Sequence, residues 1–116
     1  MLVFDYRHFG ASEGEPRQLL DVAKQLGDWR AAIAWARAQT EIDAARVAIW
    51  GTSFGGGHVI SLGAEDAQLA AIVAQVPFCD PRSVTAPKWQ MLRLAVAGLI
   101  DTWKGRRGRP PFEIPI

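Results

Sequence analysis

Val47-Ala48-Ile49-Trp50-Gly51-Thr52-Ser53-Phe54-Gly55-Gly56-Gly57-His58-Val59-Ile60-Ser61-Leu62 is the stretch that decides the fold. Val47 to Trp50 is an unbroken apolar run, the pattern of a parallel-sheet strand covered on both faces. Gly51 ends the run, and the residues after Ser53 read as a helix that stops near Gly63. A strand therefore enters a helix through a very short turn with a serine at its centre. Glycines two positions before and two positions after that serine leave room where strand and helix nearly touch. The helix N-terminus would then present backbone N–H groups beside the serine hydroxyl.

The flanking sequence repeats the alternation of strand and helix. Upstream, Asp43 to Arg46 is a polar connection. Before it, Leu19, Val22, Leu26, Trp29, Ile33 and Ala36 recur every three or four residues, with charged residues between them. That spacing predicts an amphipathic helix of about five or six turns beginning near Pro16. Leu2-Val3-Phe4 reads as a short strand running into the loop Asp5 to Gly14. Downstream, Leu69 to Val76 is a second apolar strand, stopped by Pro77. Pro81 and Pro87 bracket a loop, and Trp89, Leu92, Val96, Leu99, Ile100 and Trp103 mark a last amphipathic helix before the basic tail Lys104 to Arg109. The fold class is α/β, a parallel sheet with flanking helices, in the order strand, helix, strand, helix, strand and a closing helix.

Composition narrows the function classes. The chain has 116 residues, of which 49% are hydrophobic and 22% charged, the balance of a globular domain. A formal net charge of +1 argues against nucleic acid as a partner. No apolar run has the roughly 18 residues of a membrane span, and the opening Met1 to Asp5 does not read as a secretory leader, so the expected location is cytoplasmic. Cys79 stands alone, which excludes an internal disulfide and a multi-cysteine zinc site; it reads as a small, semi-buried filler. No residue pattern calls for a metal or a cofactor.

Gly51-Thr52-Ser53-Phe54-Gly55 is a G-x-S-x-G pattern, the signature of a serine lifted on a strand-to-helix turn to act as a nucleophile. Gly10-Ala11-Ser12-Glu13-Gly14 matches the same pattern. Context separates them, because Ser53 directly follows a strand and leads into a helix, whereas Ser12 lies in a loop. No lysine follows the glycines as a phosphate-binding P-loop requires.

Together, Val3-Phe4-Asp5-Tyr6-Arg7-His8-Phe9-Gly10-Ala11-Ser12-Glu13-Gly14, the long helix, the Ser53 segment and Ile72-Val73-Ala74-Gln75-Val76-Pro77-Phe78 resemble the α/β-hydrolase fold family. The similarity is greatest to bacterial serine hydrolases of the dienelactone-hydrolase-like and acyl-peptidase-like kinds, over nearly the whole chain. The resemblance implies that residues 1–80 are the central part of the hydrolase core and residues 81–116 the beginning of a lid. It implies a serine hydrolase of carboxylic esters or related acyl and peptide substrates. Ser53 would be the nucleophile, the Phe54 backbone amide an oxyanion-hole donor, and Gly51 and Gly55 the motif glycines. The family's second oxyanion donor, acid and histidine come from other strands, so the expectation is an incomplete fragment with little activity of its own.

Within the chain, Asp80 is a candidate acid, since it follows the strand after the turn, and His8 a candidate base, since its loop leaves the same sheet end. Each also has a plain structural reading, a turn aspartate before Pro81 and a loop histidine. His58 lies on the helix after Ser53 and reads as a structural histidine pointing away from the turn. The rival to hydrolysis is a non-catalytic remnant or an interaction module that self-associates through the Trp89–Trp103 helix.

Overall fold

The structure is a computed structural model that describes residues 1–80, 82, 87–110 and 112. It comprises α1 (Val22–Arg37), a 3-10 turn (Ala44–Arg46), β1 (Ala48–Thr52), α2 (Phe54–Glu65), β2 (Ala71–Gln75) and α3 (Lys88–Gly105). The chain divides into two compact units, Met1–Pro81 and Arg82–Ile116.

In the first unit, β1 and β2 are parallel neighbours, in register from Ala48 opposite Ala71 to Thr52 opposite Gln75. α2 is the crossover between them, and packing a helix against its own two strands is what a βαβ unit requires. Ile49 of β1, Val59 and Leu62 of α2 and Ile33 of α1 form one buried cluster, with Leu26, Trp29, Leu69 and Ala74 against it. Both helices thus contribute to a single core on β1. Arg30 pairs with Glu65 and Arg37 with Asp66, both at 2.7 Å, tying α1 to the end of α2.

Three expectations change. Leu2 to Phe4 is not a strand; β1 and β2 are the only strands among the described residues. A strand needs a hydrogen-bonding neighbour as well as an apolar pattern, and the ring of Phe4 instead packs edge-on against Tyr6 and Trp29, with centroids 5.5 and 5.1 Å apart. The long helix starts later than Pro16. Asp21 caps it, its carboxylate accepting the Lys24 N–H at 3.1 Å, so α1 has 16 residues. β1 is covered on one face only, with Ile49 buried and Trp50 57% exposed, and β2 has no buried residue, its Ile72 and Val73 being 42% and 51% exposed.

The second unit contains α3, which begins after Pro87. Its residues Trp89, Leu92, Val96, Leu99 and Trp103 are exposed, and Ala97 is buried. At helical spacing these five fall on one face. The Arg107 guanidinium sits 4.0 Å above the Trp103 ring, a cation–π contact. The expected Pro81-to-Pro87 loop falls mostly on residues outside those described, as does Pro111. No helix among the described residues is long and apolar enough to cross a membrane.

Candidate active site

Ser53 occupies the single residue between β1 and α2, with φ 51° and ψ −115°. A positive φ in a residue with a Cβ costs about 1–3 kcal/mol and survives only where surrounding bonds dictate it. Three do. The Ser53 N–H donates to the Gln75 carbonyl at 2.9 Å, and the Ser53 carbonyl accepts from Gly57 N–H at 3.2 Å and Phe78 N–H at 2.8 Å. The backbone is pinned from β2, from α2 and from the segment after β2. The side chain is not: Ser53 is exposed, its hydroxyl does not cap α2, and Oγ has no hydrogen-bond partner among the described residues.

The glycines have unequal jobs. A Cβ on Gly51 would collide with the carbonyl of Gly55, whereas a Cβ on Gly55 would meet nothing within 4 Å. Gly51 is therefore the residue that lets α2 start so close to β1. Gly56 and Gly57, outside the pattern, are equally constrained, because Cβ atoms there would run into the backbone of Pro77 and the carbonyl of Phe78. Val76 makes this approach possible. Its φ of 45° is unusual for a β-branched residue and turns the chain after β2 onto the first turn of α2.

Phe54 is the first residue of α2, so its N–H is one of the helix's orphan donors and has no intrahelical acceptor. Its ring packs on His58 at 4.8 Å and on Phe78 at 6.1 Å. His58 is buried, and its Nε2 lies 2.8 Å from Oε1 of Gln25, also buried, on α1. Burial pushes the His58 imidazole below its ordinary value of 6.5, favouring the neutral ring.

The Asp5 to Gln18 loop is bound to α1 and to itself. The Trp29 indole N–H donates to the Tyr6 hydroxyl at 2.7 Å, and burial pushes that phenol upward. Asp28 accepts from Arg7 through both backbone N–H and guanidinium. Burial alone would raise the Asp28 carboxyl, but the Arg7 hydrogen bonds outweigh it and hold the carboxyl below its ordinary value. Arg17 reaches across the loop to the carbonyls of Gly10 and Ser12. Asp5 accepts the Ala11 N–H at 2.9 Å, and the Ser12 hydroxyl is spent on the Asp5 carbonyl at 2.7 Å.

His8 is inside this loop, 6% exposed, at φ 72°. Its Nε2 lies 3.4 Å from the Lys24 ammonium, and its buried Nδ1 has no hydrogen-bond partner among the described residues. No hydrogen bond joins His8 to Ser53 among the described residues. Asp80 is exposed, beyond the end of β2. Cys79 is exposed rather than semi-buried, because the segment after Val76 turns only Phe78 inward. Val76, Gln25 and Phe78 carry no local sequence signal of these positions; the run Gly55-Gly56-Gly57, longer than the pattern needs, is the sign of a close approach.

The chain also has relatives among known proteins. Residues 1–104 match the model of the X-Pro dipeptidyl-peptidase (S15) family. The chain belongs to this family. It is 50% identical over 117 residues to the quorum-quenching protein AidA of Acinetobacter baumannii, covering 99% of this chain and 38% of that protein. It is 35% identical over 120 residues to the thiohydrolase aneE of Aspergillus aculeatus, covering 100% of this chain and 38% of the relative. The crystal structure of the alpha/beta hydrolase GrgF from Penicillium sp. sh18 superposes with a TM-score of 0.78 at 30% identity, covering 96% of this chain and 37% of that one. The S15-family chain thus has the α/β-hydrolase fold and spans 38% of the length of these curated relatives.

Proposed function

We propose that Ser53 is the nucleophile of a serine hydrolase or acyltransferase acting on a carboxylic ester, thioester or related acyl substrate. The observation that carries this reading is the pairing of a rigidly held backbone with an unengaged hydroxyl at the N-terminus of α2. Ser53 Oγ attacks the substrate carbonyl carbon and transfers its proton to a base; the Phe54 N–H donates to the developing oxyanion. Collapse expels the leaving group and leaves an acyl-serine, which water or another acceptor then attacks. The names of the relatives, a thiohydrolase and polyketide transferases among them, support acyl transfer from a thioester as one form of this chemistry.

Asp80 is the acid in this reading, supported by its position beyond the C-terminal end of β2, the sheet edge at which Ser53 also stands. The base is not assigned to His8, whose Nε2 is occupied by Lys24. Labelling with a fluorophosphonate and mapping the adduct by tandem mass spectrometry tests the proposal. An adduct on Ser53, absent from heat-denatured protein, supports it; an unmodified Ser53 under conditions that label a control serine hydrolase overturns it.

A second reading, self-association without catalysis, is favoured by the exposed apolar face of α3, where Leu99 is 72% and Leu92 66% exposed. Light scattering decides it: a mass that rises with concentration and falls back to the monomer in Leu92→Lys/Leu99→Lys supports a second copy on this face. A monomer at all concentrations overturns it.

A further inference from the structure

His58 and Gln25 form a buried polar pair where apolar packing would suffice. Each is 4% exposed, and the two come together from residues far apart in the chain. Burying an imidazole and a carboxamide costs free energy unless they satisfy one another, so the pair specifies one arrangement rather than adding stability. An amide oxygen can only accept, so His58 Nε2 carries the shared proton. The bond fixes the rotation of the imidazole about its own helix. That ring is the surface on which the Phe54 ring rests, at 4.8 Å and 59°. Tyr6, itself held by Trp29, meets the same imidazole edge-on at 6.0 Å. Phe54 is adjacent to Ser53, and gripping its side chain adds a further hold on the planar peptide whose carbonyl already accepts from Gly57 and Phe78.

We infer that Gln25 and His58 are positioning residues that align the Phe54 backbone amide for the oxyanion, an inference that rests on the Ser53 reading above. They act through Phe54 and touch no reacting atom. Gln25 sits on α1, so the alignment of the turn is set by a helix outside the βαβ unit.

The test compares Gln25→Leu, which removes the acceptor at similar volume, with Gln25→Glu, which keeps an oxygen for His58 Nε2–H. Fluorophosphonate kinetics are read as inactivation rate and apparent affinity separately, in protein shown by circular dichroism to be folded. Gln25→Leu is expected to lower the inactivation rate about tenfold with affinity unchanged, less than the about hundredfold or greater loss when an oxyanion donor is removed. Gln25→Glu is expected to restore most of that rate. Should Gln25→Leu not fold, Gln25→Met carries the same test. A wild-type rate in Gln25→Leu, or a loss confined to affinity, overturns the inference. An unlabelled wild-type Ser53 overturns the nucleophile reading instead. The positional link is then decided by the Phe54 amide resonance in 1H–15N spectra. It is expected to be displaced in Gln25→Leu and to return towards its original position in Gln25→Glu, and a resonance unmoved in Gln25→Leu removes the link.

Discussion

Ser53 and Ser12 stand at the centre of the same five-residue pattern, and the molecule uses them in opposite ways. At Ser53 the backbone makes three hydrogen bonds to distant or following segments and the hydroxyl makes none among the described residues. At Ser12 the hydroxyl is bound to the Asp5 carbonyl, and the Arg17 guanidinium closes over the neighbouring carbonyls. The first turn keeps its side chain available by anchoring its main chain. The second uses its side chain as the anchor. A pattern of glycines permits either result; which one forms depends on whether a strand and a helix converge on the serine.

The sharpest way to break this contrast is to remove each hydroxyl. Ser53→Ala is expected to abolish fluorophosphonate labelling, a loss of thousandfold or more on the scale of removing a catalytic serine. Ser12→Ala is expected to label within about twofold of the parent, since nothing ties its hydroxyl to that turn; an equal loss in both variants would erase the distinction.

The glycines give the next largest effect. Gly51→Ala drives a methyl group into the Gly55 carbonyl and is expected to destabilise by about 3 kcal/mol, as overpacking against backbone does. Gly55→Ala has open space and is expected to gain up to about 1 kcal/mol from better helix propensity. Urea melts of the two variants measure the difference, and equal costs would mean that the pattern's glycines serve one common purpose.

The pH dependence of stability sharpens the comparison further. The folded His58 imidazole is held below 6.5, so the unfolded chain binds more protons as pH falls through that value. The neutral histidine's contribution is therefore whole above about pH 6.5 and is lost as pH falls towards the folded value. Asp28, lowered despite its burial by Arg7, and Asp66, lowered by the Arg37 hydrogen bond, add their losses only near and below the ordinary carboxylate range. Thermal melts from pH 7.5 to 5 are expected to show a declining midpoint that flattens in His58→Phe; an unchanged slope in that variant would remove His58 as its source.

The smallest effects belong to exposed contacts. Ser12→Ala is expected to cost about 1 kcal/mol through its lost hydrogen bond. Arg30→Ala, which opens a half-exposed ion pair with Glu65, is expected to cost less than about 0.5 kcal/mol. A larger loss at Arg30 than at Ser12, in the same urea melts, would place the strength of this unit in the α1–α2 contact rather than in its loops.

Local chemistry accounts for what was legible in advance. The apolar run at Val47 to Trp50, the glycine that ends it and the helical spacing beyond identify a βα turn at Ser53, because these signals lie within one short window. Pro16 is an acceptable helix start, but Asp21 caps α1 because its carboxylate reaches the Lys24 N–H. Leu2 to Phe4 has the apolar content of a strand, yet apolar content reports a tendency to be buried and says nothing about a hydrogen-bonding neighbour.

By itself the sequence determined the α/β class, two of the three strands it led one to expect and the serine turn between strand and helix, all consequences of periodicity and of where glycine is tolerated. Tertiary structure alone decided that the Ser12 hydroxyl is bound while that of Ser53 has no partner among the described residues, that His8 faces Lys24, and that Gln25 meets His58. It also decided that Val76 takes a positive φ to bring Phe78 onto Ser53. Each of these rests on a partner supplied by another segment of the chain, and a hydrogen bond or a steric limit set by a distant segment leaves no mark in the local pattern of either one.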